Sequence, residues 1–114
     1  MNKIPVVLIS GDDDVLISRS LNEHIGRALG DEDRTLALEE LTEANYLSSE
    51  QFNISKLVDS AQTAPFLTRN RVVVGRHMGR FSKKDDLEPL LDYLDSPLET
   101  TSLILVWEKG SNPQ

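Results

Sequence analysis

The chain has 114 residues, of which 39% are apolar and 27% are charged, and its formal net charge is −7. This composition is typical of one globular domain, and the absence of cysteine excludes disulfides, thiolate chemistry and cysteine-bound metals. No apolar run approaches the roughly 20 residues that span a bilayer, and the N-terminus lacks a signal-peptide core, so we expect a cytoplasmic protein without membrane contact.

The first predicted strand is the apolar run 5–10, which is typical of a strand buried on both faces. Gly11 ends this strand, and one of the aspartates 12–14 is expected to cap the helix that follows. Apolar residues then recur at helical spacing, and Gly30 predicts the end of the helix. The apolar positions are Ile17, Leu21, Ile25, Ala28 and Leu29. Residues 34–41 alternate loosely and predict a second strand.

The second helix is predicted from Ser48 and Gln51, which fit a capping box. Pro65 disfavours helical backbone at Ala64, so this helix should end before it. The valine run in 71–75 predicts the third strand.

A leucine-rich segment predicts a third helix that begins near Asp85 or Asp86. Pro89 should lie in its first turn, because proline lacks an N–H group and clashes with the preceding turn of a helix. Pro97 follows the helix, and residues 102–107 form the last predicted strand. The order β-α-β-α-β-α-β predicts an α/β domain with a mostly parallel sheet and helices on both faces, a three-layer Rossmann-like arrangement.

Ligands of such sheets bind at the carboxyl ends of the strands, and residues 10–14 read Ser-Gly-Asp-Asp-Asp there. A phosphate-binding loop needs glycines and a lysine, and three carboxylates would repel a triphosphate. Gly75-Arg76-His77 follows the third strand, where a nucleotide hydrolase needs acidic residues. We therefore expect neither ATP hydrolysis nor a bound cofactor.

A phosphoacceptor receiver domain is an alternative interpretation. The aspartates 12–14 would bind magnesium, and Lys109 would contact the phosphoryl group. The nucleophilic aspartate expected after the third strand is missing, because Gly75 and Arg76 stand there. Helix capping is the simpler explanation of the aspartate cluster.

The connection between the second helix and the third strand contains the apolar residues Pro65, Phe66 and Leu67. Connections lie on the surface, so a bulky apolar side chain there either packs against the protein itself or contacts a partner. Charge is also segregated: residues 1–50 have a net charge of −7, residues 51–84 of +6, and residues 85–114 of −6. A basic surface is therefore expected near the connection. Its candidate members are Arg69, Arg71, Arg76 and Arg80.

Residues 5–109 resemble, as an ordered set, the N-terminal domain of the delta subunit of the bacterial DNA polymerase III clamp loader. The similar segments are Leu8–Asp13, Ala64–Val74, Lys83-Lys84, Leu90–Pro97 and Leu103–Val106. The resemblance implies an AAA+ type domain that has lost nucleotide binding. A generic AAA+ remnant that acts in another assembly is a further alternative.

The resemblance implies that the domain binds the sliding clamp, the beta subunit of the polymerase, and helps to open the ring. The apolar pair that enters the clamp pocket falls on Pro65 and Phe66, and Leu67 shares the apolar role. Pro65 is a variant of the leucine common in the family. No bond is made or broken by this domain, although it is part of a polymerase holoenzyme.

The resemblance also implies that the other clamp-loader subunits are partners. Primed DNA would be a partner only in the assembled complex. Family members continue into further domains, so we expect residues 1–109 to be a degenerate AAA+-like domain. Residues 110–114 are expected to be a polar tail at a truncation point before a second domain.

Overall fold

The computed structural model describes residues 6–48, 51–65, 67–78, 81 and 84–108. The strands are β1 Val6–Gly11, β2 Leu38–Leu41, β3 Leu47–Ser48, β4 Gln51–Phe52, β5 Arg71–Gly75 and β6 Thr101–Glu108. The helices are α1 Asp14–Leu29, α2 Arg34–Ala37, α3 Glu43–Tyr46, α4 Ser55–Gln62 and α5 Lys84–Asp95. The predicted polar tail 110–114 lies outside the described residues.

The main sheet has four parallel strands in the order β1-β6-β5-β2. The two central strands consist mainly of apolar residues that are buried whichever face they point to, including Val72–Val74 and Leu103–Val106. This is the pattern of a parallel sheet covered on both faces. The predicted α/β, Rossmann-like fold with a parallel sheet is confirmed.

Helices cover both faces of the sheet, and alternate residues of each strand contribute to two separate cores. Helix α1 packs on one face, where its buried residues meet Val72, Val74, Ile104 and Val106. Helices α4 and α5 pack on the other face against Val73, Leu103 and Leu105. The result is three layers, as the element order predicted.

Helix α1 begins and ends as its sequence predicted. Asp13 is the N-cap, and its carboxylate accepts hydrogen bonds from the backbone N–H groups of Val15 and Leu16 at 2.9 and 3.1 Å. Gly30 follows the last turn at φ +58°, a left-handed conformation that glycine adopts without a steric cost. The simple capping explanation of the aspartate cluster is therefore confirmed for Asp13.

The predicted strand 34–41 is half wrong, since residues 34–37 form the helical turn α2 and only Leu38–Leu41 form a strand. The carboxylate of Asp33 accepts from the backbone N–H of Thr35 at 2.8 Å and starts that turn. Local capping therefore decided the conformation of a segment whose loose alternation suggested a strand.

The predicted capping box at Ser48 and Gln51 is also wrong, because these residues pair across the antiparallel β3–β4 hairpin. Helix α4 begins later, at Ser55, whose backbone N–H donates to the Asn53 side chain at 2.8 Å. The sequence signal was an S-x-x-Q spacing of polar residues, which a hairpin accommodates equally well.

Two further expectations need correction. Strand β1 is an edge strand, and Leu8 is 62% exposed rather than buried.

Helix α5 begins at Lys84, so Pro89 lies inside the helix beyond its first turn. Proline has no N–H to donate to the carbonyl four residues earlier, so α5 lacks one helical hydrogen bond near its N-terminus.

Candidate functional site

The α4–β5 loop, residues 63–70, presents an apolar side chain to solvent. Leu67 is 75% exposed and has φ +67°, while Pro65 beside it is half-buried. A left-handed conformation is unfavourable for a branched apolar residue without local support. Phe66, predicted to be the main contact residue, lies outside the described residues.

The C-terminal end of this loop is fixed by Arg71, whose side chain is only 14% exposed. Its Nη2 contacts Glu39 Oε1 and donates to Ser60 Oγ at 2.8 Å, and its Nε donates to the Ser60 carbonyl at 3.3 Å. Ser60 Oγ in turn donates to Glu39 Oε1 at 2.5 Å. Arg71 thus links β5, β2 and α4 beneath the loop.

A second attachment joins the loop to the turn between α1 and α2. Glu32 Oε2 accepts the backbone N–H of Arg69 at 3.1 Å and lies 3.6 Å from Arg69 Nε. Within the loop, Thr68 Oγ1 donates to the Asn70 carbonyl at 2.8 Å. The segment that carries Leu67 is therefore held at several points.

Three of the four arginines predicted to form a basic surface are paired with glutamates. Arg69 lies beside Glu32, Arg71 beside Glu39, and Arg76 Nη1 lies 3.5 Å from Glu40 Oε2. These acidic partners all belong to the acid-rich residues 1–50. Glu39 and Glu40 lie in β2, which pairs with β5 in the sheet, and Glu32 lies in the turn between α1 and α2. Charges that are segregated along the sequence thus meet in space. Arg80 lies outside the described residues.

The carboxyl end of β1 borders an open cavity of about 290 Å³. Its lining residues are Ile9, Ser10, Gly11, Asp12, Asp13, Leu16, Ile17 and Ser20. The Asp13 carboxylate already occupies the first backbone N–H groups of α1, which are the groups that a phosphate would use. The cavity therefore combines apolar walls with carboxylates that disfavour an anionic ligand.

The carboxyl end of β5 is closed by apolar packing around Gly75. A Cβ atom added there would lie 2.8 Å from Leu57 Cδ2 and 3.3 Å from Tyr46 Oη. The Tyr46 hydroxyl donates to the Arg76 carbonyl at 2.7 Å. This is the position where a receiver domain would need its phosphoacceptor aspartate, whereas Lys109 lies outside the described residues.

Among the residues with described positions, no group of three or more His, Asp or Glu side chains could hold a metal ion. In the same part of the chain, no helix has both the length and the apolar character needed to cross a membrane.

Comparison with known proteins gives a family match over almost the whole chain. The family model described as DNA polymerase III, delta subunit, matches residues 8–113. The chain therefore belongs to the delta subunit family of DNA polymerase III. The predicted resemblance is confirmed, and the receiver-domain alternative is not favoured.

A solved structure has the same fold. It is the Bacillus subtilis DNA clamp loader delta protein (YqeN), with a TM-score of 0.67 and 19% sequence identity. The match covers 97% of this chain and 34% of that one, so the chain spans about a third of the length of this structural relative. No curated protein sequence matches the chain.

Sequence reasoning identified the loop but missed the residues that hold it. Glu32 lies in a turn and Glu39 in a strand, and both are far from the loop in sequence. No local pattern distinguishes them from the other acids of residues 1–50. Glu39 is brought near Arg71 by the parallel pairing of β2 with β5, which places Glu39 opposite Val73, two residues from Arg71.

Proposed function

We propose that this domain binds the sliding clamp of the replicative polymerase, its beta subunit, through Pro65, Phe66 and Leu67, and helps to open the ring without binding or hydrolysing ATP. The observation that carries the proposal is Leu67, which is exposed and held in a left-handed conformation on an anchored loop. Strained, exposed positions that the surrounding contacts maintain are concentrated at functional sites. Family membership supplies the kind of partner.

The apolar character of the loop supports binding to a pocket rather than to a charged surface. Complete burial of a leucine or phenylalanine side chain stabilises a complex by about 1.5–3 kcal/mol. A few such residues dominate most interfaces. Phe66 and Leu67 together therefore supply enough apolar surface for a small but specific contact.

Ring opening requires that the domain bind the open clamp more tightly than the closed one. A ligand shifts a two-state equilibrium only by its differential affinity for the two states. A loop fixed to the sheet suits this function, because a rigid contact favours one geometry of its partner more strongly than a flexible one does. The domain would act by binding energy alone.

The absence of ATP turnover is supported by the N-terminus of α1. Asp13 uses the backbone N–H groups of Val15 and Leu16, and Asp12 adds a second exposed carboxylate to the same cavity. A triphosphate would have to displace the first carboxylate and approach the second. In this proposal the domain contributes to ring opening through its binding energy for the open clamp and uses no ATP of its own.

The arginines near the loop are assigned a secondary role. Because Arg69, Arg71 and Arg76 are paired with glutamates, their long-range attraction for an acidic clamp is reduced. Arg80 and contact with primed DNA in the assembled loader remain predictions. Association with the other loader subunits would use parts of the protein beyond this domain.

The first test is a calorimetric titration of the cognate clamp with the wild-type chain, Phe66→Ala and Leu67→Ala. We expect Phe66→Ala to weaken binding by about 2 kcal/mol, roughly 30-fold, because a central aromatic residue is removed. Leu67→Ala should weaken it by about 1 kcal/mol, since the lost side chain is smaller.

Leu16→Ala is the matched control. Leu16 is an exposed leucine on α1, beside the carboxyl end of β1, whereas the α4–β5 loop precedes the amino end of β5. Its replacement should leave clamp affinity unchanged. The assignment is wrong if Phe66→Ala and Leu67→Ala bind as tightly as the wild type, or if Leu16→Ala weakens binding to the same degree.

A further inference from the structure

Glu32 is an unusually placed carboxylate. Its side chain is only 14% exposed, although it lies in the turn between α1 and α2, and the side chain of its ion-pair partner Arg69 is 88% exposed. A carboxylate withdrawn from water is costly unless hydrogen bonds compensate. The described compensation is the backbone N–H of Arg69, 37 residues away in sequence.

The backbone hydrogen bond, rather than the ion pair, is the stronger of the two contacts with Arg69. The distance from Glu32 Oε2 to the backbone nitrogen is 3.1 Å, whereas Arg69 Nε lies at 3.6 Å on a side chain that is almost fully solvated. Exposed ion pairs contribute little, whereas a hydrogen bond to a largely buried acceptor is costly to lose, because the acceptor is then left without a partner. Glu32 therefore acts mainly on the backbone of the loop.

This bond lies two residues after Leu67. Because φ +67° is not a conformation that leucine favours by itself, neighbouring contacts must hold it. The N–H of Arg69 is fixed by Glu32, and the adjoining Thr68 hydroxyl is bonded to the Asn70 carbonyl. Together these contacts restrict the backbone on the C-terminal side of the exposed Leu67.

We propose that Glu32 is a positioning residue for clamp binding: it accepts the Arg69 N–H and so fixes the backbone geometry in which Leu67 is presented. This inference rests on the proposed function. Fixing a loop in its bound geometry raises affinity, because less conformational entropy is lost on association. Glu32 itself need not touch the clamp.

The test compares Glu32→Ala with Glu32→Gln in the same clamp titration. Alanine removes the acceptor, whereas glutamine keeps a carbonyl oxygen and removes only the charge. We expect Glu32→Ala to bind the clamp about five- to tenfold more weakly, and Glu32→Gln to stay within about twofold of the wild type. Glu23→Ala, an exposed glutamate on α1, controls for the change in net charge and should bind as the wild type does.

Amide hydrogen exchange provides a readout besides binding. In Glu32→Ala the Arg69 amide should exchange at least about tenfold faster, while the amides of β5 and β6 keep their protection. This pattern separates local release of the loop from general unfolding.

The inference is overturned if Glu32→Ala binds as tightly as the wild type, or if Glu32→Gln is as weak as Glu32→Ala, since charge alone would then explain the effect. It is also overturned if the Arg69 amide is unaffected. These results differ from failure of the proposed function itself, in which the wild type does not bind the clamp or Phe66→Ala binds equally well.

Discussion

At the scale of single residues, a few positions are constrained by an unusual backbone conformation or by close packing. Leu67 and His77 are the described non-glycine residues with positive φ, at +67° and +60°. Leu67 precedes β5 and His77 follows it. Gly75 is constrained differently, by the side chains that close over it.

Gly75→Ala is expected to destabilise the protein by about 1–3 kcal/mol, because the new methyl group would overlap the fully buried Leu57 side chain. The shortest contact, 2.8 Å to Leu57 Cδ2, cannot be relieved without moving core atoms. Urea denaturation monitored by far-ultraviolet circular dichroism measures the change.

Gly26→Ala is the matched control, since Gly26 lies on the exposed side of α1 with no atom within 4 Å of the added Cβ. It should stabilise the protein by about 0.5–1 kcal/mol, the difference in helix propensity. Equal midpoints for Gly75→Ala and the wild type would show that the core around β5 is looser than the structure indicates.

At the scale of elements, capping residues decide where helices begin. Asp13 starts α1, and Asp33 starts α2 within a segment whose apolar pattern favours a strand. Asn53 supports the beginning of α4 at Ser55, which lies beyond both Ser48 and Gln51. Short polar side chains that bond to nearby N–H groups therefore outweigh weak apolar periodicity.

Asp13→Ala should destabilise the protein by about 1 kcal/mol, because the N–H groups of Val15 and Leu16 lose their acceptor. Asp13→Asn should lose only a few tenths of a kcal/mol, since the amide oxygen still caps the helix while the favourable charge at its N-terminus is removed. Thermal and urea unfolding of both variants check this order.

Asp12→Ala serves as the control for Asp13, because Asp12 is an exposed neighbour of the same type that precedes the cap. Its effect should stay within about 0.5 kcal/mol. A loss of stability in Asp12→Ala as large as that in Asp13→Ala would mean that general charge at this end of the sheet, and not the specific cap, is what stabilises α1.

At the scale of the whole molecule, side chains join elements that are distant in sequence. The Tyr93 hydroxyl donates to the Ala61 carbonyl at 3.5 Å and accepts the Leu98 N–H at 3.2 Å, which links α5, α4 and the connection to β6. Burial raises the pKa of Tyr93 above its usual value, and the hydrogen bond from Leu98 offsets part of this effect.

The raised pKa predicts a loss of stability at alkaline pH. Because the folded protein keeps the Tyr93 proton at a pH where the unfolded chain loses it, the contribution is fully present below about pH 10 and is lost as the pH rises through the folded-state pKa. Urea midpoints measured between neutral pH and about pH 11 should fall for the wild type.

Tyr93→Phe removes the titrating group, so its stability should fall less steeply above about pH 10 than that of the wild type. At neutral pH the variant should be less stable by about 1 kcal/mol, because the Leu98 N–H loses its acceptor. Parallel alkaline profiles for the two proteins would show that Tyr93 is not responsible for the pH dependence.

The elements with strong and unambiguous patterns were predictable. The valine run of β5, the apolar repeat of α1 and the glycine that ends it all agree with the structure. The segment 34–41 and the pair Ser48 and Gln51 were mispredicted, because each pattern is compatible with two local conformations. The site residues Pro65, Phe66 and Leu67 stay predictions, with Leu67 shown to be exposed.

The α/β class, the apolar strands and the position of an apolar loop could be predicted without the structure, because these depend on periodicity and on residues such as proline and glycine that constrain the backbone locally. Tertiary structure alone decided which acids neutralise which arginines and what holds the loop. Glu39 reaches Arg71 because β2 lies beside β5, and Glu32 reaches Arg69 from the turn between α1 and α2. Such pairings depend on the tertiary arrangement of the elements, which local sequence patterns do not encode.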